Sequence, residues 1–264
     1  MTRWADRPSD LWRRLALPAR PRVAVFRALK LGDLLVAVPA FRSLRAALPT
    51  AEITLVGLPW AREFVARFPE YLDHFAEFPG YPGLPEREPQ LSRLPGFLGE
   101  VRAARFDLAI QLHGSGPIVN PVVLQFRARR TAGFYLPGDI CPDPDWFVPW
   151  PDTGLELRRL LALTTFLGAP ARGESLEFPV RDEDERAAGV ALRPHPGPYV
   201  CVHPGASIPE RRWPAEHFAA VADTLATRGF SVVLTGTAAE AGLTAEVAGR
   251  MAAPAIDVAG RTDL

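Results

Sequence analysis

Cysteine and long apolar runs are scarce in this chain of 264 residues. The two cysteines, Cys141 and Cys201, lie about sixty residues apart, so they do not form the close pairs that zinc sites use. Cys201 stands inside an apolar run, and we expect it to be a small buried side chain. No apolar stretch approaches the roughly 20 residues of a membrane span, and the N-terminus lacks the apolar core of a secretion signal. These absences favour a reducing cytoplasm.

An excess of charge is absent as well. Thirty basic residues balance 30 acidic ones, so no overall field attracts nucleic acid, and we predict no nucleic-acid partner. Residues 9–20 combine Trp12 with several arginines, a composition that can rest on an anionic membrane surface. This would give a peripheral contact at the inner face of the inner membrane. A helix packed on the domain, or a frayed tail, is the preferred alternative.

The motifs of several enzyme classes are also missing. The chain has no GxxxxGK[ST], no GxGxxG after a strand, no GxSxG and no HExxH. These absences argue against a P-loop nucleotidase, a dehydrogenase with the usual glycine fingerprint, a serine hydrolase and a zinc protease. We expect neither a metal nor a cofactor.

Short apolar runs alternate with helical patterns on both sides of a linker at residues 168–173. This alternation predicts an α/β fold of two Rossmann-like, doubly wound domains facing a cleft. We place the domains at residues 1–172 and 173–264. The patterns also predict one helix over residues 34–48, a loop over residues 137–151 and a strand at residues 176–178.

The turn at Gly32 and Asp33 joins the first strand to the first helix. The apolar run Val23–Phe26 has the length of a buried parallel strand, and apolar residues at helical spacing follow from Leu34. The turn therefore lies at the carboxyl end of a strand, where open α/β sheets bind ligands. Asp33 is either a base directed into a cleft or a cap for the helix, and the residues alone favour the cap.

A second glycine-rich turn, His113-Gly114-Ser115-Gly116, follows the buried strand predicted at Leu108–Gln111. Ser115 lacks the sequence context of a hydrolase nucleophile. The turn is either a simple tight turn or a place where a ligand approaches the backbone.

The second domain contains His203-Pro204-Gly205-Ala206-Ser207, followed by Arg211-Arg212-Trp213-Pro214. A glycine, a hydroxyl and two fixed cations before a helix N-terminus are the components of a diphosphate site. A solvated surface loop is equally consistent with them. Glu240 follows the next strand, where a carboxylate either accepts the hydroxyls of a ribose or, more commonly, complements a helix dipole.

Together these stretches resemble glycosyltransferase family 9, the bacterial heptosyltransferase family. The matching residues keep the family's order over most of the chain: Leu31-Gly32-Asp33 with Pro39, His203-Pro204-Gly205-Ala206-Ser207, Arg212-Trp213-Pro214, Leu234-Thr235-Gly236 with Glu240, and Ala259-Gly260-Arg261-Thr262. The resemblance implies a GT-B fold with the acceptor on the first domain and the nucleotide-sugar on the second.

The resemblance also implies roles for individual residues. Asp33 matches the family's proposed base, and Glu240 matches its ribose-binding acid. Arg211 stands where many members have a phosphate-binding lysine, which keeps the charge but changes its shape and reach. The predicted nucleotide-sugar site is completed by Gly205, Ala206 and Ser207. The candidate acceptor-binding residues are Lys30, Gly32, His113 and Ser115.

The function implied is inverting transfer of a heptose or related sugar from an ADP-sugar to an acceptor of the lipopolysaccharide-core type, a glycan or glycolipid. The alternative is a non-catalytic protein that binds nucleotides or glycans on a degenerate scaffold of this kind. Turnover of ADP-heptose distinguishes the two.

The family continues past the Gly-Arg-Thr segment into an Asp-(Ser/Thr)-Gly-x-x-His loop, whereas this sequence stops at Leu264. We therefore expect an incomplete second domain, with faster amide exchange over residues 199–258 than over residues 23–111 and negligible transfer by this chain alone. A fragment and a degenerate protein both remain open.

Overall fold

The computed structural model describes residues 15–193, 197–206 and 208–262. The chain divides into two compact units, Met1–Pro179 and Val180–Leu264. Residues 9–14 of the predicted membrane-contact segment lie outside the described residues. None of the helices in the described ranges is long and apolar enough to cross a membrane.

The first unit is built on a six-stranded sheet. Its strands are β1 (Arg22–Phe26), β2 (Glu52–Gly57), β3 (His74–Glu77), β4 (Leu108–Gln111), β5 (Arg130–Tyr135) and β6 (Phe147–Pro149). Every neighbouring pair is parallel, in the order β3-β2-β1-β4-β5-β6. In this register Val23 lies between Ile53 and Leu108. All residues of β1 except Arg22, and all of β4, are buried, as expected for parallel strands covered on both faces.

The helices of the first unit connect these strands. They are α1 (Leu31–Leu35), α2 (Val38–Ala47), α3 (Ala61–Arg67), α4 (Leu94–Ala103), α5 (Val119–Leu124) and α6 (Glu156–Phe166). The prediction of one helix over residues 34–48 is wrong, because α1 ends before α2 begins. Pro39, in the first turn of α2, has no N–H to donate to the carbonyl of Leu35, so the chain turns at Val36 and Ala37.

Two further predictions for this unit are wrong. The predicted loop over residues 137–151 contains β6, whose Phe147 and Val148 are buried and pair with β5. The predicted strand at residues 176–178 is absent, since the described chain forms no ladder there. Side-chain contacts hold this segment instead: the Phe178 ring lies 6.3 Å from that of Phe68 and 4.9 Å from the guanidinium of Arg67.

An aromatic cluster lies beneath the carboxyl end of β1. Phe26 meets Phe78 edge to face at 4.9 Å and lies 6.1 Å from Phe126, while Phe97 contacts both of these rings. Such pairs stabilise a core beyond the burial of their area. The imidazole of His113 lies 5.4 Å from Phe26, so this core also supports the turn that follows β4.

The second unit has a smaller parallel sheet. Its strands are β7 (Tyr199–Val202), β8 (Ser231–Leu234) and β9 (Ala255–Asp257), paired in that order, and its helices are α7 (Asp182–Ala191), α8 (Ala215–Thr227) and α9 (Ala241–Arg250). The predicted α/β class is confirmed by these parallel sheets with their connecting helices.

The burial predicted for Cys201 is wrong. Its strand, β7, lies at the edge of the sheet described, and only Val202 of this strand is buried. The Cys201 thiol is exposed, and Tyr199 is 52% exposed. All residues of α7 are also at least partly exposed. The apolar run therefore predicts the strand correctly, but it does not predict whether the strand is buried.

Candidate functional site

The strand order of the first unit creates a crevice. The chain moves outwards from β1 to β3 and then returns to place β4 on the other side of β1. Connections that leave β1 and β4 therefore diverge at their carboxyl ends, and ligands bind open α/β sheets at such a switch point. The two turns singled out in the sequence follow these two strands. The structure thus brings the following predicted residues to one edge of the sheet: Lys30, Gly32, Asp33, His113 and Ser115.

Asp33 lies in α1 and is half-buried. Its Oδ2 accepts a hydrogen bond from the backbone N–H of Lys30 at 3.1 Å, which closes the first turn of the helix. The carboxylate therefore acts as a cap, as the residues alone favoured. It also lies at the switch point, which is where a base acting on a bound ligand would have to lie. Lys30 and Gly32 are exposed beside it.

Arg27 is the residue of this site that sequence reasoning missed. It follows β1 directly, and none of its surface is exposed. Its Nε donates to the carbonyl oxygen of Asp33 at 2.8 Å, its Nη1 donates to the carbonyl oxygen of Leu112, and its Nη2 meets Oε1 of Glu156 at 2.7 Å. One guanidinium thus joins the turn after β1, the turn after β4 and the start of α6.

The electrostatics of Arg27 balance two opposing effects. Burial lowers the pKa of its guanidinium, while the hydrogen bond and negative charge of Glu156, and the charge of Asp33, act in the opposite direction. A buried charge is tolerated only where it is paired and hydrogen-bonded, and Arg27 meets both conditions. In the sequence, the one signal for this role is the presence of an arginine directly after an apolar strand.

His113 is 6% exposed and follows β4. Its Nδ1 accepts the backbone N–H of Ala28 at 3.1 Å, so in the neutral ring the proton is on Nε2. Gln111 holds the turn from inside: its Oε1 accepts the backbone N–H of His113 at 3.2 Å, and its Nε2 donates to the carbonyl of Gly114 at 3.1 Å. Burial, together with the charge of Arg27, lowers the pKa of His113 from 6.5 to about 4.

This shift makes the stability of the first unit depend on pH. The unfolded chain binds a proton at His113 near pH 6.5 and the folded chain only near pH 4, so the free energy of unfolding falls as the pH drops between these values. A shift of this size corresponds to about 3 kcal/mol. The Oδ1 of an asparagine at position 113 can still accept the Ala28 N–H. In urea titrations from pH 7 to pH 4, we therefore expect the free energy of unfolding of His113→Asn to fall by about 3 kcal/mol less than that of the wild type. An unchanged slope in the variant would contradict the assignment.

The glycines after His113 shape the same edge. Gly116 has a φ of +104°, and a Cβ built there would lie 2.3 Å from Nδ2 of Asn120, so only glycine fits. Ser115 is half-buried between the two glycines. Beyond this turn lies a cavity of about 530 Å³ at the carboxyl end of β5, lined by residues that include Gly116, Asn120, Tyr135, Asp139 and Ile140. This cavity adjoins the turn after β4, but Lys30, Asp33 and His113 do not line it.

In the second unit, the segments that follow β7 and β8 meet. A Cβ built on Gly205 would lie 2.1 Å from Oε1 of Glu240, so Gly205 allows this carboxylate to reach its backbone. Oε2 of Glu240 accepts both the backbone N–H and the hydroxyl of Thr237 at 2.8 Å each. The backbone hydrogen bond, followed by the hydroxyl, lowers the pKa of Glu240, so it is ionised at neutral pH. These contacts fix Glu240 at a helix start and beside the predicted phosphate loop.

The rest of the predicted nucleotide site is placed only in part. Ser207 lies outside the described residues. Arg212 is occupied within the loop, because its Nε donates to the carbonyl of Ala206 at 2.9 Å. Arg211 ends a short 3-10 turn, Pro209–Arg211, and is exposed. Of the two arginines, Arg211 is therefore the one whose side chain is more open to a ligand.

Residues 152–264 match the family model described as glycosyltransferase family 9 (heptosyltransferase). The match covers fewer than half of the 264 residues. The glycosyltransferase assignment predicted from the sequence is thereby confirmed. A search of curated proteins found no match.

Solved structures of family 9 proteins share the fold. A glycosyltransferase family 9 protein from Veillonella parvula is 22% identical, with a TM-score of 0.72, and the alignment covers 92% of this chain and 71% of that one. The E. coli ADP-heptose lps heptosyltransferase II is 19% identical, with a TM-score of 0.68 and coverage of 92% and 73%. E. coli heptosyltransferase WaaC, solved with ADP-2-deoxy-2-fluoro heptose, is 17% identical, with a TM-score of 0.57 and coverage of 86% and 73%. The GT-B-like architecture predicted from the sequence is confirmed by these similarities.

The family 9 segment reaches into both units. It begins at Asp152, so it contains Glu156, the partner of Arg27, as well as Gly205 and Glu240. Asp33 and His113 precede it. The segment that matches the family model therefore contains Glu156, whose contact with Arg27 helps to hold the turn that carries Asp33.

Proposed function

We propose that the chain is an inverting glycosyltransferase that moves a heptose or related sugar from an ADP-sugar to an acceptor of the lipopolysaccharide-core type. The observation that carries the proposal is the family 9 match over residues 152–264, which includes the contact between Gly205 and Glu240. The neighbours support the donor class, since structures of E. coli WaaC were solved with ADP and with ADP-2-deoxy-2-fluoro heptose.

The proposed reaction is a single displacement. A hydroxyl oxygen of the acceptor forms a bond to the anomeric carbon of the donor sugar while the bond from that carbon to the phosphate oxygen breaks. The hydroxyl proton passes to the carboxylate of Asp33, and the electron pair of the broken bond leaves with ADP. Attack from the side opposite the leaving group inverts the configuration at that carbon.

The remaining groups act on the donor. The guanidinium of Arg211 and the backbone N–H groups at the start of α8 would stabilise the negative charge that grows on the diphosphate. Glu240, already ionised, would accept hydrogen bonds from the ribose hydroxyls.

The test is release of ADP from ADP-heptose in the presence of a de-acylated inner-core oligosaccharide. We expect ADP and an extended oligosaccharide in equal amounts, in contrast to the negligible transfer that the sequence alone predicted for this chain. Binding of ADP-heptose without release of ADP would instead support the non-catalytic alternative.

Arg211 provides a second test of the proposal. Arg211→Ala is expected to weaken ADP binding about 10- to 100-fold, the effect of losing a hydrogen bond between charged groups. Adenosine, which has no phosphate, should bind almost as before, and the exposed Arg228→Ala is a matched control. Titration calorimetry with both ligands makes the comparison, and equal weakening of both would contradict the phosphate role.

A further inference from the structure

The segment between β3 and α4 is tied down at both ends, although it reads as a loop rich in proline and glycine. Nη1 of Arg87 donates to the carbonyl of Phe78 at 2.9 Å and to Oε1 of Glu77 at 3.1 Å. The backbone N–H of Gln90 donates to the carbonyl of Pro79 at 2.9 Å. Tyr81 and Leu84 pack against the aromatic core. The position of the residues between them, Glu86 included, is therefore defined by the fold.

This arrangement places the carboxylate of Glu86 beside His113. Oε1 of Glu86 lies 3.8 Å from Nε2 of His113, and the Glu86 side chain is only 18% exposed. Its Oε2 is covered and has no hydrogen-bond partner among the described residues. A buried carboxylate oxygen without a partner is costly, and such a group requires an explanation.

Glu86 and His113 do not satisfy each other. Their separation of 3.8 Å is longer than a hydrogen bond. His113 is neutral above about pH 4, so the pair is not a salt bridge at neutral pH. Because Nδ1 is occupied by the Ala28 N–H, Nε2 carries the proton and faces the carboxylate. The structure therefore sets one fixed donor beside one fixed acceptor, at the same switch point as Asp33.

We propose that Glu86 and His113 bind a hydroxyl group of the sugar acceptor. A hydroxyl can use both partners at once, accepting from Nε2–H of His113 and donating to Oε1 of Glu86, the carboxylate oxygen that faces this nitrogen. An oxygen at about 2.8 Å from each atom is geometrically compatible with their separation. The negative charge of Glu86 disfavours a phosphate or carboxylate here, so the pair selects a neutral part of the acceptor. The inference rests on the proposed function, because it assumes that a glycan is the acceptor.

The test compares Glu86→Gln with Glu88→Gln, a matched control at an exposed glutamate of the same segment. We expect Glu86→Gln to raise the KM for the de-acylated inner-core oligosaccharide about 10- to 100-fold, the effect expected for a hydrogen bond to a charged group. The KM for ADP-heptose should not change. The unfolding temperature should stay the same or rise, because the substitution removes a buried charge. Enzymatic removal of the phosphates from the oligosaccharide should leave the effect of Glu86→Gln unchanged.

A structural role for Glu86 would give a different result. A lower unfolding temperature with an unchanged KM for the oligosaccharide would overturn the inference, as would an unchanged KM alone. If the wild-type chain releases no ADP, calorimetry with the same oligosaccharide separates the two proposals. Weaker binding by Glu86→Gln would then support the inference while the transferase proposal fails, and an absence of wild-type binding would overturn both.

Discussion

Asp33→Asn is expected to lower the rate of sugar transfer at least 100-fold and to leave the unfolding temperature unchanged, since a general base contributes about 10²- to 10⁴-fold. Asp33 is the third residue from the N-cap Lys30, and the Oδ1 of an asparagine there can accept the Lys30 N–H that Asp33 now accepts at 3.1 Å. It cannot take a proton from a hydroxyl. The measurement is ADP release with saturating substrates, together with thermal unfolding of both proteins.

Two results make this experiment decisive. Asp152→Asn, at an exposed position of the first unit, should behave as the wild type does. If Asp33→Asn turned over within tenfold of the wild type, Asp33 would be a cap only, and the base would have to be sought elsewhere in the crevice.

Arg27→Met is expected to destabilise the first unit by about 3 kcal/mol, because a buried donor is removed and its acceptors lose their partners. The carbonyls of Asp33 and Leu112 would both be left without this donor, and Glu156 would lose its counter-charge. The free energy of unfolding of Arg27→Lys should lie between those of the wild type and Arg27→Met, because an ammonium keeps the charge but cannot contact three separated acceptors in one plane. Urea unfolding gives the free energies.

The control is Arg105→Met, at an exposed arginine in the turn after α4. Its effect should be below about 0.5 kcal/mol, as for most surface substitutions. An equally small effect of Arg27→Met would show that the turns after β1 and β4 hold their positions without the guanidinium.

Local patterns were sufficient where local physics decides the outcome. The apolar run before Arg27 and the spacing after Gly32 placed Asp33 at a strand-to-helix turn, and the structure has it there. Pro39 is also a local signal, since it predicts the break between α1 and α2. The regular spacing of apolar residues on both sides of it nevertheless led to the prediction of one continuous helix.

Long-range contacts are what the sequence could not disclose. Arg27 meets acceptors that stand 85 and 129 positions further along the chain, and no nearby residue indicates either. Glu86 reaches His113 from another connection altogether. Gly205 is another position where a contact distant in sequence was missed. Its small size suggested close approach of a ligand, and the structure shows that the chain's own Glu240 occupies part of that space.

The helix α6 shows that the family 9 segment and the folding units have different boundaries. The segment begins at Asp152, yet α6 packs with α2 in the first unit, which extends to Pro179. Its apolar face includes Leu160 and Leu163, neither of which is exposed. A protein cut at the start of the family match would carry this face uncovered into water and would tend to aggregate. A cut between Pro179 and Val180 leaves α6 on its own sheet, so dissection of this enzyme should follow its packing rather than its sequence similarity.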